Sequence, residues 1–254
     1  MREWLINRLD IPKRTILNRK IPKKAFFSEA DFSSAEKELF TSQVDGIYLL
    51  SVMNQQSMKI QAYQTKELHY AEVVWVYVKI RSKDKNNRIA QVVHKAIPNP
   101  VVLVMESPEG DILLSACHKR LHKMDVAKVV LEEPVITNWF QPRNEEDLYT
   151  QLLDVLMMTK LSFDHLYHFY DDIYQWLRCE EVVLLVNDFP KNTENRDDVV
   201  EALDDIRQNQ NEITRLENEQ KGQLDFGIKM DLHMKIKRQE QQVEQKLQKI
   251  KELC

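Results

Sequence analysis

Glycine is scarce, with four residues among 254. Phosphate-cradling loops and dinucleotide fingerprints need clustered glycines so that the backbone can approach a phosphate closely. No such cluster occurs, which argues against a Walker-type nucleotidase and a Rossmann enzyme. The three cysteines, Cys117, Cys179 and Cys254, are odd in number, far apart and in no CxxC pair. They support neither a disulfide framework nor a zinc ribbon, and they suit a reducing cytoplasm. No run of eighteen apolar residues is present, so no membrane span is expected. The first nine residues are broken by Arg2, Glu3 and Arg8 and do not read as a secretory leader.

What is present is an ordinary globular mixture, 43% apolar and 30% charged. The net charge of −4 is unevenly spread. Residues 1–24 carry eight Lys/Arg against Glu3 and Asp10, residues 25–190 carry −8, and residues 191–254 carry −2. A basic head on an acidic body suits an anionic partner, nucleic acid included, although a solvated lead segment explains it as well.

Residues 1–45 read as a basic segment of short helices and loops. Asp31 or Ser33 is placed to cap a helix ending near Phe40. An α+β domain is expected over 46–140. "GIYLLSVM" (46–53) and "EVVWVYVKIR" (72–81) are β-branched and aromatic, as strands are. "NRIAQVVHKAI" (87–97) reads as a helix. "PVVLVME", a "SPEGD" turn and "DILLSACHKR" read as a hairpin over 100–120, and a last strand is expected in 129–139. The expectation is a sheet with one helix against a single face.

From 145 the apolar period turns helical, and 145–186 reads as a helical pair packed on the sheet, with Ser162 as a cap for its second helix. "VVLLV" (182–186) fits helix or buried strand equally. Residues 187–198 read as a linker. Residues 197–254, without proline, read as a coiled-coil-like tail. Val199, Ala202, Ile206, Ile213 and Leu216 fit one heptad seam; Val243, Leu247 and Ile250 fit another in a different phase. Gly222 and Gly227 lie between them, so the tail is a helical hairpin or two hinged rods. Asp225-Phe226-Gly227 spells a kinase metal-binding motif, but the glycine-rich loop, strand lysine and catalytic loop that such chemistry needs are missing. An apolar knuckle of Leu224, Phe226, Ile228 and Met230 at the joint is the better reading, with Met230 and Met234 as adaptable surface. Ile206, Ile213, Leu216, Phe226, Met230, Val243, Leu247 and Ile250 are the candidate partner-binding residues.

Three groups could carry chemistry. His165, His168 and Asp172 fall at helical spacing and could share a divalent metal, but a surface ion pair with Asp164 or Asp172 is simpler, and no metal is assigned. "CHKRLHK" (117–123) leaves a strand with Lys119, Arg120 and Lys123. Together with Lys20, Lys23 and Lys24 these are the candidate nucleic-acid contacts, weighed against a solvated loop. A metal-dependent nuclease would use Glu72 and Asp111 with a nearby lysine such as Lys79 and an acid such as Glu106. No acid-x-Lys closes that pattern: Glu72 is followed by Val74 and Asp111 by Leu113, and Asp84 with its flanking lysines falls on a turn. No strained-elbow nucleophile is present. No catalytic residue is assigned outright, and no cofactor is implied.

"IPKKAFF" (21–27), "EVVWVYVKI" (72–80), "IAQVVHKAIPNPVVLVM" (89–105), "DILLSACHKR" (111–120), "SFDHLYHFYDDIYQWL" (162–177) and "QLDFGIKMDLHMKIKRQ" (223–239), in that order, resemble the bacterial family known as domain of unknown function 4391. The last segment is similar to a "QFNxKVELN"-like ending, with Phe226, Met230 and Leu232 in its apolar places and Gly227 where Asn is usual. The resemblance implies a genetic setting beside helicases and DNA methyltransferases of restriction or phage-defence type, and no catalytic residues. The expected protein is therefore a cytoplasmic, non-catalytic assembly subunit of a DNA-defence complex. It would dock on a helicase-like or methyltransferase-like protein of the same locus, touch DNA through its basic residues, or self-associate through its tail. A divergent nuclease is the alternative.

Overall fold

The computed structural model describes residues 1–28, 32–123 and 125–254. Its elements in order are α1 (Arg2–Arg8), β1 (Ile16–Ile21), α2 (Lys23–Ser28), α3 (Ser34–Gln43), β2 (Val44–Asn54), α4 (Gln55–Met58), β3 (Tyr63–Gln64), β4 (His69–Tyr70), β5 (Glu72–Ile80), α5 (Asn86–Ala96), β6 (Val101–Glu106), β7 (Ile112–Ala116), β8 (Lys119–His122), β9 (Asp125–Leu131), β10 (Val135–Ile136), α6 (Thr150–Val155), α7 (Leu166–Arg178), α8 (Glu180–Val186), α9 (Thr193–Gly222) and α10 (Phe226–Leu253). The fold is α+β: a mixed sheet with packed helices, then a long helical region. It divides into two compact units, Met1–Glu180 and Glu181–Cys254. The division falls inside 145–186, because α8 groups with the tail helices and not with α6 and α7.

In the first unit six strands lie in the order β1-β2-β5-β6-β7-β10. Every pairing is antiparallel except β5 with β6, whose parallel register is made by the α5 crossover. The period of two along each strand gives the sheet two different faces. Val74, Val76, Val78, Leu103, Met105 and Leu113 form one core with Ile89, Val92, Val93 and Ala96 of α5, Phe26 of α2 and Phe40 of α3. Phe26 stacks on Phe40 at 4.9 Å between ring centres. Trp75, Tyr77 and Tyr48 alternate to the opposite face, where the Arg2 guanidinium of α1 lies 3.7 Å over the Tyr48 ring. α7 reaches the sheet through Tyr170, whose hydroxyl donates to Val101 O (2.8 Å) or Cys117 O (3.0 Å) and accepts from Cys117 N (2.8 Å). Helices thus serve both faces, with α5 against a single one of them as expected.

Local chemistry sets the boundaries. Ser33 caps α3 in a reciprocal capping box with Glu36. Asp31, the other candidate cap, lies outside the described residues. The β6–β7 turn is closed by Ser107, whose hydroxyl oxygen accepts from Glu109 N and Asp111 N, and it requires the positive φ of Gly110. The hairpin strand does not run on to 120. It ends at Ala116, and β8 turns away to pair with β9. The expected last strand is divided into β9 and β10 on either side of Pro134, which has no N–H for a ladder. β1 was expected as helix and loop; it is an edge strand, and its outward Leu17, Arg19 and Lys20 give no clean alternation. The α7 cap is His165, whose Nδ1 accepts from His168 N at 3.1 Å, and not Ser162, whose N–H is donated to Asp172 at 2.6 Å. "VVLLV" is helical, and the polar connection shortens to 187–192 because Asn192 caps α9 through Asn195 N.

The second unit centres on an antiparallel helical hairpin. α9 carries Val199, Ala202, Ile206, Asn209, Ile213, Leu216 and Gln220 at alternating steps of three and four, and all are buried or half-buried. α10 carries Lys229, Leu232, Ile236, Gln239, Val243, Lys246 and Ile250 in the same way. The register is fixed by Gln220 Nε2 donating to Lys229 O (3.0 Å), Asp205 with Lys246, Asp198 with Lys249 (3.1 Å), and Asn195 Nδ2 donating to Leu253 O (2.6 Å).

Replacing Phe40, which has no exposed surface and stacks on Phe26, by Ala is expected to cost about 3–5 kcal/mol of stability in urea unfolding of the full chain. A loss below about 1 kcal/mol would show that α3 does not share the core.

Candidate functional site

The basic residues do not converge. Lys20 on β1 lies level with Tyr48 and Tyr77, near the end of β5. Lys119 follows β7 beyond the Ala116–Val102 pair, near the start of β6. Four strand-to-strand steps, about 19 Å, separate β1 from β7. Lys119 is only 4% exposed, and its ammonium donates to three carbonyl oxygens, His94 O (2.9 Å), Asn99 O (2.7 Å) and Ile97 O. These lie at and just past the C-terminus of α5, where a cation meets orphaned carbonyls and the negative end of the helix dipole. Burial pushes the ammonium down to about 7, and the three carbonyl oxygens oppose that by holding the proton on. Lys119 is therefore a structural tie and not a phosphate contact. Lys23 is similarly committed, donating to Thr41 O (3.2 Å) and Val44 O at the end of α3. Lys20, Lys24 and Lys123 are exposed and Arg120 is half-buried.

The carboxylates of the nuclease alternative are apart. Glu72 opens β5 and accepts from Asn54 Nδ2 and Asn99 Nδ2, both at 3.2 Å. Asp111 precedes β7 at the other end of the sheet, beside the Lys79–Glu106 pair and bound to Lys83. The seven steps from Glu72 to Lys79 span about 23 Å. Two ligands of one metal must each lie about 2.0–2.6 Å from it, so Glu72 and Asp111 cannot share an ion. Two residues before Lys79 stands Tyr77, not an acid. Among the described residues no group of three His, Cys, Asp or Glu is placed to hold a metal. The His165 and His168 rings lie 3.9 Å apart, tilted by 38°; His165 serves the α7 cap and His168 Nδ1 lies 3.5 Å from Asp164.

A polar relay that runs from a buried phenol to a half-buried carboxylate was not foreseen. The Tyr70 hydroxyl and His118 Nδ1 are 2.6 Å apart, and His118 Nε2 is 3.0 Å from Asp171. Tyr70 has no exposed surface, and burial holds its hydroxyl well above the usual phenol range. A sealed, neutral phenol cannot reach a substrate; the relay ties β4 and α7 to the link between β7 and β8. Only His118 carried a sequence signal, since Tyr70 and Asp171 lie about fifty residues away along the chain.

The remaining candidate is the joint of the tail. Gln223 Oε1 accepts from Leu224 N (2.9 Å) and Asp225 N (3.2 Å), and Asp225 caps α10 by accepting from Ile228 N (3.0 Å). A Cβ on Gly227 would stand 3.1 Å from that capping carboxylate oxygen. The Asp-Phe-Gly triplet is thus a helix start. Around it Leu224 is 96% exposed, Phe226 76%, Met234 63%, Met230 47% and Ile228 45%. Of the eight partner-binding candidates, Ile206, Leu216 and Ile250 are buried and Ile213, Val243 and Leu247 half-buried along the hairpin seam, while Phe226 and Met230 are exposed at its tip.

A sheet-and-helix domain followed by a helical hairpin is therefore the class of protein at hand. The chain belongs to the family described as Domain of unknown function (DUF4391), whose profile matches residues 9–243. Comparisons with curated proteins and with solved structures gave no match.

Two outcomes follow from the buried groups. Replacing Lys119 by Met leaves three carbonyl oxygens without their donor and is expected to cost on the order of 1–3 kcal/mol in urea unfolding, more than any change at exposed Lys20. His94 is fully buried, bonded to Ser115 Oγ at 2.9 Å, and desolvation pushes its imidazole from the usual 6.5 to about 3. The unfolded chain then binds the extra proton first, so stability falls as pH drops from 6.5 towards 3, by up to about 1.4 kcal/mol per pH unit. Urea unfolding at pH 7 and pH 4 should show this slope in the parent and a shallower one in His94→Gln.

Proposed function

We propose that the chain is a non-catalytic assembly subunit of a bacterial restriction-like or anti-phage complex, acting in the cytoplasm and docking on a helicase-like or methyltransferase-like protein through the tip of its C-terminal hairpin. The observation that carries this reading is the group of five large apolar side chains, Leu224, Phe226, Ile228, Met230 and Met234, held in solvent by a capped turn. Monomeric surfaces rarely hold such groups without a partner. The class of partner comes from the genetic setting that the family resemblance implies.

The tip is better suited to a groove on a larger protein than to a second copy of itself. Stable dimers bury about 800 Å² and 20–30 residues on each side, well beyond five side chains. As an anchor the tip is adequate: burying each apolar side chain contributes roughly 1.5–3 kcal/mol, enough to survive an association cost of about 4 kcal/mol or more. The hairpin seams support this choice, because α9 and α10 satisfy each other and the large apolar side chains they leave exposed are those at the tip. DNA contact falls to the exposed Lys20, Lys24 and Lys123, which are too dispersed to carry the function alone.

The test is recovery of partners by the tagged full chain from its native host, with and without nuclease, comparing the parent with Leu224→Ser/Phe226→Ser. Both positions are exposed, so circular dichroism should be unchanged. A helicase- or methyltransferase-like protein is expected with the parent under both conditions and at least tenfold less with the variant. Equal recovery by the variant, or recovery abolished by nuclease, would overturn docking through the tip.

A further inference from the structure

Two of the five tip side chains are thioethers. Met230 and Met234 are one helical turn apart on α10 and continue the outward stripe begun by Phe226. Leu232 and Ile236, two residues further on from each, face the other way and are buried against Leu216. Four of the other seven methionines contrast with this pair: Met53 and Met105 have no exposed surface, and Met58 and Met158 are 3% and 2% exposed, while Met1 and Met157 are half-buried and Met124 lies outside the described residues. Among the described methionines, Met230 and Met234 are the exposed ones, and they lie where the tip presents its apolar surface.

We propose that Met230 and Met234 are a reversible oxidation site that releases the hairpin tip from its partner. This rests on the docking reading above. The oxidant is a hydroperoxide, hydrogen peroxide in the simplest case. A sulfur lone pair attacks one peroxide oxygen; an S–O bond forms as the O–O bond breaks. The sulfur loses two electrons, the peroxide gains them, and the second oxygen leaves as water after proton transfer. The product sulfoxide is polar, chiral and a strong hydrogen-bond acceptor, unfit for an apolar groove. A thiol-dependent methionine sulfoxide reductase reverses the change by taking the oxygen as water while two thiols become a disulfide.

The position of the pair makes the switch local. Both sulfurs lie outside the α9–α10 seam, so oxidation leaves Leu216, Leu232 and Ile236 packed and the hairpin folded. Oxidation of buried Met53 or Met105 would instead place a sulfoxide in the core of the first unit.

The experiment exposes the full chain to dilute hydrogen peroxide and follows each methionine by peptide mass spectrometry. Met230 and Met234 are expected to convert at least tenfold faster than Met53, Met58, Met105 and Met158, with the thermal unfolding midpoint unchanged. Partner recovery should fall at least tenfold on oxidation and return after reductase treatment, while Met230→Leu/Met234→Leu, whatever its own starting level, should recover the same amount before and after peroxide. Equal oxidation rates, undiminished binding by the oxidised tip, or the same loss in the double variant would each overturn the switch. If the unoxidised protein recovers no partner, the docking reading falls by itself. The switch is then decided by a hydrophobic fluorescent dye. Dye binding lost on oxidation in the parent but kept in the double variant supports it, and unchanged dye binding overturns it.

Discussion

An ammonium group buried at the end of α5 sets the geometry of the first unit. Lys119, at the start of β8, points inward, and its three donors meet the carbonyls of His94, Ile97 and Asn99. A helix that ends inside a protein must find donors for its last carbonyls. α5 ends directly before the loop that feeds β6, so the cation that satisfies the helix also fixes where the parallel strand begins. The same demand ends β7 early. Cys117 N turns to the Tyr170 hydroxyl, which also serves Val101 O and Cys117 O. One residue further on, His118 joins Tyr70 and Asp171. Three successive positions, 117–119, are thereby tied to α7, to β4 with α7, and to the end of α5 in turn.

These ties explain why the polar residues most suggestive of chemistry do none that the geometry supports. Lys119 and Lys23 resemble phosphate contacts in sequence but spend their charges on carbonyls at helix ends. Glu72 and Asp111 resemble a nuclease pair but occupy opposite ends of the sheet. Tyr70, His118 and Asp171 form a relay with its phenol sealed from solvent. Buried polar groups need partners, and Lys119, Tyr70 and His118 find theirs within the protein.

The second unit follows the opposite logic. Its heptad positions are satisfied within one chain, because the Gln223–Asp225 turn lets α10 run back along α9. Asn209 and Gln239 interrupt the apolar seams near the middle of each helix, as polar residues do where register matters more than affinity. With the seam closed, the large apolar side chains that α9 and α10 leave exposed are grouped at the turn, the part of the hairpin farthest from its own termini, while α8 exposes Leu184 and Leu185.

The sequence by itself determined the class of fold. Strands β2, β5 and β6, the helix α5, the β6–β7 turn and the two long tail helices are written in local period, β-branching and caps, which act over a few residues and need no tertiary knowledge. It also supplied the glycine-interrupted joint and the apolar letters Leu224, Phe226, Ile228 and Met230 around it. Tertiary structure alone decided what depends on distance along the chain. β1 is a strand only because β2 pairs with it; its own pattern is too polar to say so. Lys119 is a cap only because α5 ends within reach of it, some twenty residues upstream. The choice between a hairpin and two rods rests on whether two seams meet, which neither seam records alone. Burial and charge pairing are properties of where segments come together, and a linear pattern holds only half of each such contact.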